Sequence, residues 1–209
     1  MNVLIGIGVD GRVLANLGAM SLTSTATATA SHRAPVGTCP DTLVSAIRAE
    51  VRRGQDWQHT AEGVAAALRA NLPEPAAILP ASLRRGDPAG YQSHLLYAEP
   101  DGTFSISGMV WMPGQQTMIH DHVAWCVTGV LQGREHEEIF APADGGRALS
   151  LVARNVNPPG AVSGFAPPGD IHRVTNTGDI VAISMHVYGA DISRLGNSIR
   201  REYTLPVRP

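Results

Sequence analysis

His120 and His122 stand one residue apart in the stretch TMIHDHVAWCVTGVLQG, and Cys126 follows shortly after. In a strand the side chains alternate between faces, so the two imidazoles project the same way. Ala124 and Cys126 continue that face, and Asp121 and Val123 take the other. Two imidazoles at this spacing can fill adjacent positions on one metal ion, and Asp121 is not expected among the ligands. A third imidazole, His172, lies in PPGDIHRVTN, just past a Pro-Gly turn and at the start of an apolar strand. A fixed backbone there could aim it across a barrel. Taken singly, each feature has a plainer explanation: a histidine-rich strand, and an ordinary turn histidine. Further on, ISMHVYG sets Ser184, His186 and Tyr188 at alternate positions, a polar row on one strand face.

The elements that must position these groups follow from spacing. The 209 residues, 44% of them hydrophobic, suffice for one domain with a core and a small appendage. Leu43, Val44, Ile47 and Val51 recur at helical intervals behind TCPD, which reads as a helix start. A second helix is expected from about Thr60 to Asn71, with Trp57, Ala61, Val64, Leu68 and Leu72 on one stripe. Two short amphipathic helices cannot bury their faces alone, so residues 38–90 read as a helical cap on something else. After RRGDPAG come short runs, among them YQSHLLYAE, FSISGMVWM, WCVTGVLQG and DIVAISMHVYG, punctuated by turn residues. That texture predicts an all-β sandwich or barrel over residues 91–192. Residues 193–209 form a polar tail with room for one short helix or strand. Residues 1–37 read as a disordered segment or extension, and Met20 offers a second plausible start that would leave residues 1–19 outside the protein. The formal GxGxxG in MNVLIGIGVDG is not followed by a βαβ unit, so no dinucleotide fold is expected.

Composition removes several function classes. With 16 basic and 18 acidic residues there is no basic excess, so neither nucleic acid nor a membrane surface is the expected partner. Every basic residue is arginine, which excludes a Schiff-base lysine, a pyridoxal phosphate anchor and a phosphate-loop lysine. Cys39 and Cys126 are far apart in unlike surroundings, which gives no disulfide framework and suits a cytoplasmic setting.

The two histidine segments together resemble the signature motifs of the cupin barrel. Gly114, His120, His122, Cys126 and Gly133 keep every spacing of the first motif, with cysteine in place of the usual glutamate. Pro167, Gly169, His172 and Asn176 match the second, with Gly160 one residue early as its leading glycine. Within that superfamily a metal held by three neutral histidines, with no glutamate, is the pattern of the thiol dioxygenases, and this chain looks like one over roughly residues 41–192. The resemblance implies an antiparallel, jelly-roll cupin barrel with a small N-terminal helical cap. It also implies Fe(II) on His120, His122 and His172, and Ser184, His186 and Tyr188 as the relay of that family. The partners so implied are O2 and a small thiol, L-cysteine or a 3-mercapto carboxylic acid, and the product a sulfinate.

Two departures from the family are visible. Where cysteine dioxygenases carry an arginine for the substrate carboxylate, spacing puts Ser93, with Gln92 and His94 beside it. Serine is too short for a bidentate clamp, so Arg194 and Arg200 in the tail become the candidates. Cys126 stands one residue off the spacing at which animal enzymes have a cysteine joined to the relay tyrosine, and that resemblance makes a Cys126–Tyr188 thioether an expectation to examine. The alternatives are a cupin oxygenase giving a different product from cysteine, an O2-independent metal cupin such as an isomerase, and a non-catalytic small-molecule binder.

Overall fold

A computed structural model describes residues 34–208, so the expectations for residues 1–37 fall almost wholly outside the described residues. Helix α1 (Asp41–Val51) buries Leu43, Val44 and Ile47, and α2 (Trp57–Ala70) buries Ala61, Val64 and Leu68, as the helical spacing requires. α2 starts a turn earlier than expected because the Asp56 side chain accepts the backbone N–H of His59 at 2.9 Å. Trp57 therefore sits on the first turn, 47% exposed, and not on the buried stripe. A single proline-led turn, α3 (Pro75–Ile78), precedes the strands.

The strands are β1 (Gln92–Ala98), β2 (Ser105–Trp111), β3 (Ile119–His122), β4 (Cys126–Gln132), β5 (Glu135–Ala143), β6 (Ala148–Asn157), β7 (Val162–Phe165), β8 (His172–Asn176) and β9 (Ala182–Tyr188). After a short helix, α4 (Ile192–Leu195), come β10 (Ile199–Tyr203) and β11 (Val207–Arg208). One sheet runs in the order β1-β2-β9-β4-β7 and the other β10-β3-β8-β5-β6-β11. All pairings are antiparallel except β11 with β6. The segment read as a tail thus supplies two strands of the barrel wall. Among the described residues no helix is long and apolar enough to cross a membrane.

The layers explain why β9 is buried along its whole length. Its odd positions, Ile183, Met185 and Val187, join Leu43, Val64 and Leu68 in one apolar cluster between the helices and the five-stranded sheet. Its even positions, Ser184, His186 and Tyr188, face the other sheet across the barrel interior. β9 is thus a central strand covered on both faces, with its polar row turned to the interior. Gly129 on β4 gives α2 its close approach: a Cβ there would meet Leu72 Cδ2 at 2.8 Å and Leu68 Cδ2 at 3.1 Å. Since Leu68 is fully buried, Leu68→Ala should cost about 2–5 kcal/mol in urea unfolding while leaving metal affinity unchanged.

Continuous alternation from His120 to Cys126 is corrected. The extended strand is interrupted at residues 123–125, so β3 lies in the six-stranded sheet and β4 in the five-stranded one. Two motif residues have clear mechanical roles. Gly133 has φ 75, in the left-handed region, and a Cβ there would lie 2.7 Å from Ala182 Cα. Asn176 is fully buried, its Nδ2 donating to the carbonyls of Trp111 and Ile180 at 2.9 Å each, which pins the end of β8 to β2.

Candidate metal centre

β3 presents His120 and His122 on one face, and its antiparallel partner β8 begins with His172 directly opposite His120. The ring centroids lie 4.8 Å (His120–His122), 4.7 Å (His120–His172) and 5.0 Å (His122–His172) apart. The three side chains offer ligand atoms within 4.8 Å of one another, and each residue is at most 5% exposed. Cys126 is not in that group.

The donor set is prepared for a metal by its surroundings. Each Nδ1 is already engaged: His120 with the Met118 carbonyl at 2.9 Å, His122 with Asp170 Oδ2 at 3.1 Å, and His172 with Glu137 Oε1 at 2.8 Å. With Nδ1–H donating outward, each Nε2 lone pair is left free, and these second partners fix tautomer and ring orientation. Burial, reinforced by the neighbouring His172 and His122, pushes the His120 pKa down to about 3, so the imidazole stays neutral. Burial likewise lowers His122. Asp170 is pushed up by burial, yet the side-chain and backbone N–H groups of His122 hold it below the ordinary carboxylate range. Three imidazoles with tethered Nδ1 atoms and convergent Nε2 atoms fit a divalent transition metal.

Asp121 points to the opposite face, as its strand position requires. It is fully buried, and its Oδ2 accepts from Arg200 at 2.6 Å, Arg201 at 2.7 Å and the Tyr203 hydroxyl at 2.8 Å. Burial would raise its pKa, but these donors keep it well below the carboxylate range. The clamp ties β10 to the ligand strand. It also turns Arg200 away from the histidines: around a register shift between Ile199 and Arg201, both arginines meet Asp121. Arg194 is likewise engaged, its Nε 2.9 Å from Asp191 Oδ2.

Across the interior from the histidines, Ser184 Oγ lies 3.0 Å from His186 Nε2, and the Tyr188 hydroxyl 3.2 Å from His186 Nδ1. Burial first, then the three facing histidines, pushes His186 down to about 3. Tyr188 is raised well above the ordinary phenol value, mainly by burial, and so stays protonated. Cys126 stands opposite Tyr188 in the β4–β9 register, fully buried and with its thiol pKa raised. A cavity of about 40 Å3 separates the histidines from His186, Tyr188 and Met109. An adjoining cavity of about 130 Å3 shares Tyr91, Met109, Tyr188, Ser198 and Ile199 with it. Ser93 lines this outer space, whereas Gln92 and His94 alternate to the other face of β1. Among the described residues no arginine lines either cavity.

Sequence reasoning missed Asp170 and Glu137, which engage His122 and His172, and Glu135, which lies behind Ser184. Asp170 had a readable signal two positions before His172. For Glu135 and Glu137 the signal was their alternate spacing within REHEE, which puts both on one buried strand face.

Two antiparallel sheets enclosing a three-histidine cluster on their inner wall define a cupin barrel. The chain belongs to the cysteine dioxygenase type I family, which matches it over residues 61–197. Among solved structures it is similar to recombinant oxalate oxidase in complex with glycolate, at 20% identity and TM-score 0.40, over 50% of this chain and 53% of that one. The chain thus spans about half the length of oxalate oxidase. It is also similar to a Cupin 2 conserved barrel domain protein from Salinispora arenicola, at 22% identity and TM-score 0.38, over 51% of this chain and 81% of that one.

Proposed function

We propose that this protein is an Fe(II)-dependent thiol dioxygenase, which joins both atoms of O2 to the sulfur of a small thiol: R–SH plus O2 gives R–SO2H. The observation that carries the reading is the convergence of three tethered imidazoles and the Ser184–His186–Tyr188 row on one small cavity. His120, His122 and His172 would hold the metal, which, with no carboxylate ligand to offset its charge, would draw the substrate as thiolate and supply the open positions and redox chemistry for O2.

The remaining work falls to the chain. Met109, Trp111 and Val174 wall the inner cavity and keep water out. Tyr188 offers its hydroxyl toward the reacting atoms, and His186, held by Ser184, fixes its orientation. Ser93 and Asn197, which line the outer cavity, would meet the polar end of the thiol. L-Cysteine and 3-mercapto carboxylic acids are the substrates to try first, and serine and amide groups would take the place of the arginine clamp. The Cys126–Tyr188 register is the one a thioether between them would need. A cytoplasmic setting suits the two separate thiols.

Metal analysis combined with an oxygen electrode tests the reading, using cysteine, 3-mercaptopropionate, mercaptosuccinate and cysteamine as substrates. Iron-dependent O2 uptake matched by sulfinate is the expected result. Metal binding without thiol-dependent O2 uptake would sink it in favour of an isomerase or a binding protein.

A further inference from the structure

Glu135, at the start of β5, is 2% exposed and has no part in holding the metal ligands. It shares a strand face with Glu137, whose carboxylate is engaged by His172. Ser184 is the hydrogen-bonding neighbour of the Glu135 carboxyl, and Glu135 Oε1 has no hydrogen-bond partner. A buried carboxyl in contact with the far end of the Tyr188 row is unexplained by folding alone.

Counting hydrogens along the row gives it a task. Because His186 stays neutral, only one of its ring nitrogens carries a hydrogen, so Ser184 and Tyr188 cannot both accept from it. Ser184 Oγ has one hydrogen and two lone pairs, and one lone pair takes the Trp111 Nε1–H at 3.2 Å. One hydrogen and one lone pair remain for His186 and Glu135. If Glu135 is ionised, Ser184 donates to it, His186 Nε2–H donates to Ser184, and Tyr188 must donate to His186 Nδ1. If Glu135 is protonated, it donates to Ser184, Ser184 donates to Nε2, and Nδ1–H donates to the Tyr188 oxygen. The phenol hydrogen is then turned outward, toward Ser198 and the cavity it lines.

We propose that Glu135 is the inner terminus of this row and sets its direction, presenting the Tyr188 hydroxyl hydrogen to the reacting atoms when protonated and withdrawing it onto His186 when ionised. The inference rests on the dioxygenase reading of the cavity. The surroundings place the switch in a useful range: burial pushes the Glu135 pKa up to about 7, Ser184 opposes this, and the charge of Glu137 adds to it. The register places Asn157 of β6 and Asn176 of β8 opposite, neither of which titrates. From β9 the facing groups are Ser184 and, further off, Tyr188, and β2 contributes Trp111 through Ser184.

Glu135→Gln and Glu135→Leu test the proposal, each replacing the carboxyl with a group that does not titrate. At saturating thiol, wild-type kcat should fall several-fold through a step near pH 7, and both variants should lack that step. Infrared titration of the metal-free protein gives an arm independent of turnover. A protonated-carboxyl C=O band should vanish near pH 7 together with a shift of the Tyr188 ring band, and Glu135→Gln should show neither change. Stability follows with a defined sign. A carboxyl kept neutral in the fold contributes stability that is complete below the ordinary carboxyl range and is lost as pH rises toward 7, and Glu135→Gln should flatten that slope. A kcat step or a co-titrating Tyr188 band that survives in Glu135→Gln overturns the proposal. If no thiol is turned over at any pH, the functional reading fails, and the infrared arm still decides the relay.

Discussion

Replacing His172 with alanine is expected to abolish metal binding and thiol-dependent O2 uptake together, with the fold retained. His172 is 4% exposed, but its ring belongs to the polar interior and to none of the apolar clusters. Its strand is held without the imidazole, by the ladder to β5 and by Asn176. Removal therefore leaves two imidazoles on β3, too few for a tight site, and an uncompensated Glu137 carboxylate beside them. Loss of an outer-shell partner alone commonly costs about 10- to 100-fold in affinity or activity, so loss of a ligand should exceed about 100-fold. Metal content after desalting, the oxygen electrode and far-UV circular dichroism check the three parts. Full activity in His172→Ala would overturn the assignment of the centre.

The next largest effect should come from a residue that never touches the metal. Glu137 is 5% exposed, accepts from His172 Nδ1 at 2.8 Å and from Asn155 at 3.3 Å, and its ionised form is favoured by those donors despite burial. In Glu137→Ala the Nδ1–H of His172 loses its acceptor inside a closed wall. The ring can then rotate or exchange tautomers, and a fall of about 10- to 100-fold in metal affinity or kcat/KM is expected. Glu137→Gln keeps a carbonyl acceptor at the same reach and should lose much less. Competition with a chromophoric chelator measures the affinities, and equal losses in the two variants would argue against an orienting role.

Much of the architecture was legible because it depends on local periodicity. Leu43, Val44 and Ile47 repeat at helical spacing, and the short punctuated runs from Gln92 onward announce strands. The three histidines were legible because motif spacing encodes where β3 ends and β8 begins. The break at residues 123–125 was not, since Val123 and Ala124 continue the alternation without a glycine or proline to mark the change of sheet. Nor was the fate of the arginines. Arg200 is taken by Asp121, a pairing across 79 residues that no local pattern records. Ser184, His186 and Tyr188 could be read as a row, but that β9 is central and covered on both faces follows only from the sheet order.

The pairing of β10 with the ligand strand also bears on how the centre is assembled. β3 offers two of the three histidines, yet it is a short strand flanked by β8 and β10, both distant in sequence. Contacts of such long separation form late, because loop-closure entropy must be met before they contribute. A folding intermediate with the helices docked and the local hairpins formed would carry all three imidazoles in sequence but not in place. Convergence of the three histidines thus depends on closing these long-range pairings, and an incompletely closed barrel would have no organised cluster with which to hold an ion.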